Sequence, residues 1–187
     1  MITISEFTAR EIQRLLQADE SKIRVILQGA DDLPTPSEAR SAILEKLGID
    51  GPFFLAVGAR DPRKNLATLH RAMEILNRRH SVPLVECGPR DPGAGLPFVR
   101  YAGYVGDAEL ATLYRRATAL VIPSRYEGFG LPAAEAMWAG GRVACANATS
   151  LPEVVGEAGL LFPWNDAEVL AQQLGRLLDD AGLRERL

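Results

Sequence analysis

Cysteine is scarce in this 187-residue chain, which has two, Cys87 and Cys145. Each closes a short apolar run and reads as a small buried hydrophobe, so neither a disulfide framework nor zinc-ligand spacing is predicted. Histidine is equally sparse. His70 and His80 fall in one amphipathic segment, where a lone imidazole is usually solvated, and no catalytic role is assigned to either. No charge of one sign dominates: 21 basic and 24 acidic residues leave a net charge of −3. Basic residues cluster no further than pairs such as Arg78-Arg79 and Arg115-Arg116, read as solvated helix faces, which argues against a nucleic-acid partner. No apolar run reaches about 18 residues, and no basic start precedes an apolar block, so neither a membrane span nor a signal peptide is predicted and a cytoplasmic setting is expected. Repeats and low-complexity tracts are missing too. What remains is 47% hydrophobic and 24% charged, enough for one domain with a sizeable core.

From Phe53 onward short apolar strands alternate with amphipathic helices. Strands are predicted at Phe53–Val57, Pro83–Cys87, Phe98–Tyr101, Ala119–Ile122, Val143–Ala146 and Gly159–Phe162. Helices are expected at Leu66–His80, at Ala108–Ala117 capped by Asp107, after Pro132, near Ser150–Val155 and from Asp166 to about Asp179. The alternation predicts an α/β class, a Rossmann-like, doubly wound parallel sheet of about six strands, over residues 51–187. Ligands bind such sheets beyond the carboxyl ends of the strands, where Gly58, Gly88, Gly103, Pro123 and Cys145–Asn147 fall. Residues 1–50 fit the rhythm less well. A helix capped by Ser5, with Phe7, Ile12, Leu15 and Leu16 on one side, leads to a strand over Ile23–Leu27. A connector over Asp31–Pro36 and a helix over Ser37–Leu47 follow, so this stretch reads as the tail of something larger.

The chain is organised around Ser124–Gly141, SRYEGFGLPAAEAMWAGG. A strand runs into Pro123, then a glycine-flanked loop opens a helix at Pro132. Glu135 is the lone charge on an alanine-rich helix, and burying an unpaired carboxylate is costly, so it must be paired, protonated or exposed in a cleft. Gly128 and Gly130 let backbone approach a ligand closely. The free N–H groups of Phe129, Gly130 and Leu131 would face an anion, leaving Glu135 for a hydroxyl-rich group. Alternatively, Glu135 makes a rim salt bridge, Glu127 caps the following turn, and Phe129 packs the loop onto the sheet.

A second constellation, Gly58-Ala59-Arg60-Asp61-Pro62-Arg63-Lys64-Asn65, joins the first sheet strand to its helix, with Asn65 as candidate cap. Cations just before a helix start gain nothing from its dipole, but they would gain from a bound phosphate. The bland alternative is solvated loop charge. Arg60 is expected to be exposed or to partner Asp61. Tyr101, Tyr104 and Val105 lie where a base could slot against a strand end, with core packing equally open.

These segments resemble the retaining GT-B glycosyltransferases. EGFGLP…E matches that family's E-x7-E signature. GARDPRKNL, VRYAGYVGDAELATLYRRATALVIPSRYEGFGLPAAEAM and SLPEVVGEAGLLFP extend the likeness over about residues 53–165, in the form of a mannosyltransferase-like, donor-binding C-terminal domain. SEFTAREIQRLL with SKIRVILQGAD resembles the last helix and crossover strand of the N-terminal domain. The resemblance implies that Arg63 and Lys64 hold the donor diphosphate and that Glu135 takes the ribose hydroxyls. It further implies that Glu127 contacts the transferred sugar and that the Gly128–Leu131 backbone meets sugar and phosphate, beside Gly58, Tyr101 and Val105. It implies configuration-retaining transfer by front-face attack, no metal and no cofactor beyond a GDP-sugar or UDP-sugar donor. GDP-mannose is favoured by the PRKN form. The acceptor domain is missing, so this chain alone is expected to be inactive, while the whole enzyme could act at a membrane surface. Two positions depart from the pattern: Ala59 stands where many relatives carry arginine, and Gln28 replaces an asparagine. Other open readings are a nucleotide-sugar-binding module, an epimerase and a glucan synthase.

Overall fold

The computed structural model describes residues 1–30, 33–34, 39–58, 61–89 and 95–187. Ala59, Arg60, most of the Asp31–Pro36 connector, Ser37 and Glu38 at the expected helix start, and Arg90–Ala94 lie outside the described residues.

The strands β3 (Phe54–Val57), β4 (Leu84–Cys87), β5 (Val99–Gly103), β6 (Ala119–Ile122), β7 (Val143–Ala146) and β8 (Gly159–Phe162) form one six-stranded parallel sheet in the order β5-β4-β3-β6-β7-β8. The central strands FLAV, ALVI and VACA are apolar throughout because both faces are covered, which is why they read as continuous runs rather than alternating ones. Succession from β3 runs one way through β4 and β5, and from β6 the other way through β7 and β8. The switch in direction therefore falls between the neighbours β3 and β6. Right-handed crossovers on the two sides of such a switch place their helices on opposite faces. Accordingly α3 (Leu66–Leu76) packs on α7 (Ala167–Asp179), while α2 (Ala39–Leu47) and α5 (Leu131–Trp138) pack on α4 (Asp107–Arg116).

Several boundaries differ from expectation. Helix α3 stops at Leu76, because the Asn77 side chain turns the chain by clasping both the N–H and the carbonyl of Val82. The N-cap of α4 is Gly106 rather than Asp107, and the Glu109 carboxylate accepts from its N–H. Pro132 is the second residue of α5, not the first. Arg115 is not simply solvated: its Nε donates to the Ala139 carbonyl at 2.6 Å, closing the end of α5. Short α6 (Leu151–Val155) precedes β8, and α8 (Ala181–Arg186) ends the chain.

Before the sheet, β1 (Ile2–Thr3) and β2 (Arg24–Val25) form a separate two-stranded parallel ribbon flanking α1 (Glu6–Leu16). The strand expected over Ile23–Leu27 is shorter because β1 offers two residues before Ser5 caps α1 through the Thr8 N–H. Leu15 and Leu16 on α1 stand exposed, as do Ile26 and Leu27. Cys87 and Cys145 are free and buried, and burial pushes each thiol up to about 12. No helix among the described residues is long and apolar enough to cross a membrane.

Candidate functional site

The loops after β3 and β6 leave adjacent strands at the switch, where an open α/β sheet has its ligand crevice. After β3, Pro62–Lys64 forms one 3₁₀ turn capped by Asp61, whose Oδ1 accepts from the Arg63 N–H at 2.8 Å. Asn65 does not cap α3 with its side chain. It sits at φ +53, and its amide donates to the carbonyls of Pro123 at 3.0 Å and Trp164 at 2.7 Å, fastening the loop to the end of β6. The backbone of Arg63 accepts from the Arg125 N–H at 2.8 Å, a second tie between the two loops.

The two adjacent cations have different partners. Lys64 Nζ lies 2.8 Å from Glu127 Oε1, with side-chain exposures of 21% and 14%. On its way the lysine passes over Gly58, where an added Cβ would sit 3.4 Å from Lys64 Cε. Arg63, 62% exposed, instead folds back on Asp61, its Nε 2.9 Å from Oδ2. That hydrogen bond holds the Asp61 carboxyl below its ordinary range and raises Arg63. The expected Arg60 partner for Asp61 lies outside the described residues; Arg63 fills that role.

The loop after β6 is fixed by hydroxyls, two of them, Ser124 and Ser150, on fully buried residues. Ser124 Oγ donates to Glu127 Oε1 at 2.7 Å, the Glu127 N–H donates to Thr149 Oγ1 at 3.0 Å, and Ser150 Oγ lies 2.9 Å and 2.8 Å from the carbonyls of Glu127 and Phe129. Glu127 Oε2 has no partner among the described residues. Gly130 is at φ +105, and a Cβ there would come within 2.7 Å of Leu151 Cδ2, so glycine is required by backbone and by space. Among the described residues no acceptor meets the N–H groups of Phe129, Gly130 or Leu131. The Phe129 ring itself is buried.

Glu135 resolves neither as a salt bridge nor as an isolated charge. Its Oε2 accepts from the Tyr114 hydroxyl of α4 at 2.9 Å. Burial, and then the neighbouring carboxylate, push that phenol well above its ordinary range, so it remains a neutral donor. Tyr101 and Val105 pack partly buried against the core at the end of β5, and Tyr104 is exposed. His70 is not solvated: its Nε2 lies 2.5 Å from Glu86 Oε1, a carboxylate buried inside β4. Sequence reasoning gave no role to Tyr114, Ser124, Thr149, Ser150 or Glu86. The serines flanking prolines in VIPSRYEG and TSLPEV were the available signal for two of them. No group of three His, Cys, Asp or Glu able to hold a metal converges among the described residues.

An acid and a cation thus meet across the switch crevice, beside a helix start whose N–H groups have no acceptor among the described residues. Residues 51–180 match the family described as "Glycosyl transferases group 1", and the chain belongs to that family. It is 37% identical over 202 residues to O-antigen chain mannosyltransferase B of Escherichia coli, covering 99% of this chain and 53% of that protein. Sucrose-phosphate synthase from Thermosynechococcus elongatus superposes with a TM-score of 0.79 at 29% identity, covering 99% of this chain and 52% of that one. HepE from Anabaena, solved with UDP and glucose, shares the fold with a TM-score of 0.83 at 21% identity, over 98% of this chain and 54% of its own. The chain spans about half the length of the curated relatives it matches.

Proposed function

We propose that this chain is the donor-binding half of a retaining hexosyltransferase that takes mannose from GDP-mannose and passes it to an acceptor held by a second domain. The observation that carries the proposal is the Lys64–Glu127 pair, 2.8 Å across two sequence-distant loops at the switch between β3 and β6. Lys64, with Arg63 nearby, offers positive charge to a diphosphate that becomes more negative as the glycosidic bond breaks. Glu127 Oε2, without a partner among the described residues, accepts a sugar hydroxyl, and the N–H groups at the start of α5 meet sugar and phosphate oxygens. Glu135, oriented by Tyr114, keeps its Oε1 for the ribose hydroxyls. The anomeric C1–O bond to the diphosphate breaks as C1 bonds the acceptor hydroxyl oxygen. The nucleoside diphosphate leaves with the electron pair and takes up that hydroxyl's proton, its charge stabilised by these fixed donors, a task typically worth about 3–4 kcal/mol of barrier per donor. The mannose preference is supported by the likeness to a mannosyltransferase and by the Pro62–Asn65 wording. The site needs no metal in this scheme.

Calorimetric titration with GDP-mannose, GDP-glucose and UDP-glucose tests the donor. GDP-mannose is expected to bind most tightly without added divalent cation, and tightest binding of UDP-glucose would replace the proposed donor. The purified chain alone is expected to transfer no radiolabelled mannose to any acceptor; transfer by this chain would show that the acceptor site is not on a second domain.

A further inference from the structure

The loop Glu127–Gly130 is clasped from two sides by hydroxyl groups on unrelated parts of the chain. On one side stands Ser150, fully buried, against the carbonyls of Glu127 and Phe129. On the other stands the first turn of α1, more than a hundred residues away in sequence. Ser5 Oγ, also fully buried, lies 2.6 Å from the Gly128 carbonyl, and Thr8 Oγ1 lies 3.1 Å from it. The two hydroxyls are 2.8 Å apart, so they share their protons between that carbonyl and each other. Two further contacts seat the same turn. Glu153, just inside α6, accepts from the N–H groups of Glu6 and Phe7 at 3.1 Å each, and the Phe7 ring meets Tyr126 edge-on with centroids 5.4 Å apart.

The consequence follows from peptide geometry. In a trans peptide the C=O and the following N–H point in opposite directions within one rigid plane. Holding the Gly128 carbonyl on α1 therefore aims the Phe129 N–H away from α1, toward a side where no described residue accepts it. Without the tether this peptide could flip by rotation about ψ of Gly128 and φ of Phe129, and Gly128 has no Cβ to oppose its half of that rotation.

We propose that Ser5 and Thr8 are positioning residues for the donor: by holding the Gly128 carbonyl, the start of α1 orients the Phe129 N–H toward the sugar of the bound nucleotide sugar. The proposal rests on the assignment of this loop to a nucleotide-sugar donor. A flipped peptide would present a carbonyl to the sugar where a donor is needed, while the diphosphate contacts of Lys64 would be untouched.

The test compares the ¹⁵N-labelled chain with the double variant Ser5→Ala/Thr8→Val, the single variant Thr8→Val, and Ser5→Thr, which restores a hydroxyl. In the ligand-free protein the amide signals of Gly128, Phe129 and Gly130 are expected to move in the double variant, while those of β6 and β7 stay in place. GDP-mannose affinity is expected to fall about tenfold and GDP affinity less than twofold, the gap reporting the sugar contact alone. Ser5→Thr is expected to keep both affinities, and Thr8→Val to fall between. Equal losses for GDP and GDP-mannose, or loop amides that do not move, would overturn the positioning role. If the double variant does not fold, Thr8→Val alone decides by the same ratio. Failure of the unaltered chain to bind any nucleotide sugar would instead remove the donor assignment, and the ligand-free amide shifts would still show whether α1 holds the loop.

Discussion

The two loops that meet at the switch are built in opposite ways. The loop after β6 is held at nearly every peptide: Ser124, Thr149, Ser150, Ser5 and Thr8 take up its carboxylate, an N–H and three successive carbonyls. The described part of the loop after β3 holds a single turn whose cap and ion pair are local, Asp61 with Arg63, and exposed. Among its described residues, the side chains of Lys64 and Asn65 and the carbonyl of Arg63 reach across. The contrast suits two jobs. Recognising a sugar's hydroxyl pattern requires donors and acceptors fixed in place, since misplacement of even 1 Å is costly. Balancing a diphosphate's charge requires cations, and a cation on a long stem tolerates movement.

The pinned loop predicts the largest effect. Gly130→Ala would add positive-φ strain, and its Cβ would press to within 2.7 Å of Leu151 Cδ2, which is itself buried. Together these are expected to cost about 2–4 kcal/mol, lowering Tm by about 5–15 °C in a domain of this size. A thermal melt that moves by less than a degree would mean that the loop yields, and the contrast with its neighbour would disappear. Next comes the residue that bridges the two loops. Lys64→Ala leaves Ser124 as the Glu127 carboxylate's remaining partner among the described residues and removes charge from the crevice. GDP-mannose affinity is expected to fall by about 10–100-fold, the equivalent of one charge-assisted hydrogen bond, with the fold retained in circular dichroism. Unchanged affinity on calorimetry would move the diphosphate elsewhere.

What sequence could and could not disclose follows the same division. The apolar strands, their glycine ends and the E-x7-E stretch were legible because each is a local pattern. The sheet β3–β8 therefore came out with errors only at element ends, as at Leu76, where Asn77 bends the chain by a clasp no periodicity encodes. The sequence placed the Arg63–Lys64 and Glu127 motifs at one edge of the sheet, but the Lys64–Glu127 pair itself follows from the adjacency of β3 and β6, which no local pattern encodes. The partners of single polar residues were not legible. Glu135 finding Tyr114, His70 finding the buried Glu86, and Ser5 finding Gly128 are all contacts between elements 16 to 123 positions apart. Nothing in a serine's own neighbourhood distinguishes a helix cap from a cap that also holds a distant carbonyl.

The smallest expected effect falls on Arg63, and its sign pattern is the most informative. The guanidinium is already engaged by Asp61, whose carboxyl it keeps ionised by holding it below its usual range. To grip a phosphate, Arg63 must give up one fork-like contact for another, so the net gain is a difference between two similar terms. Arg63→Ala is therefore expected to weaken GDP-mannose binding only a few-fold. That loss should shrink further as salt is raised, because an exposed charge acts through a screened field. Asp61→Asn, which frees the guanidinium without removing it, is expected to do the opposite and tighten binding at low salt. A loss on Arg63→Ala as large as that for Lys64→Ala, together with no gain from Asp61→Asn, would mean that the turn reorganises around the donor. The loop after β3 would then be the part of the site that closes, and the loop after β6 the fixed wall it closes against.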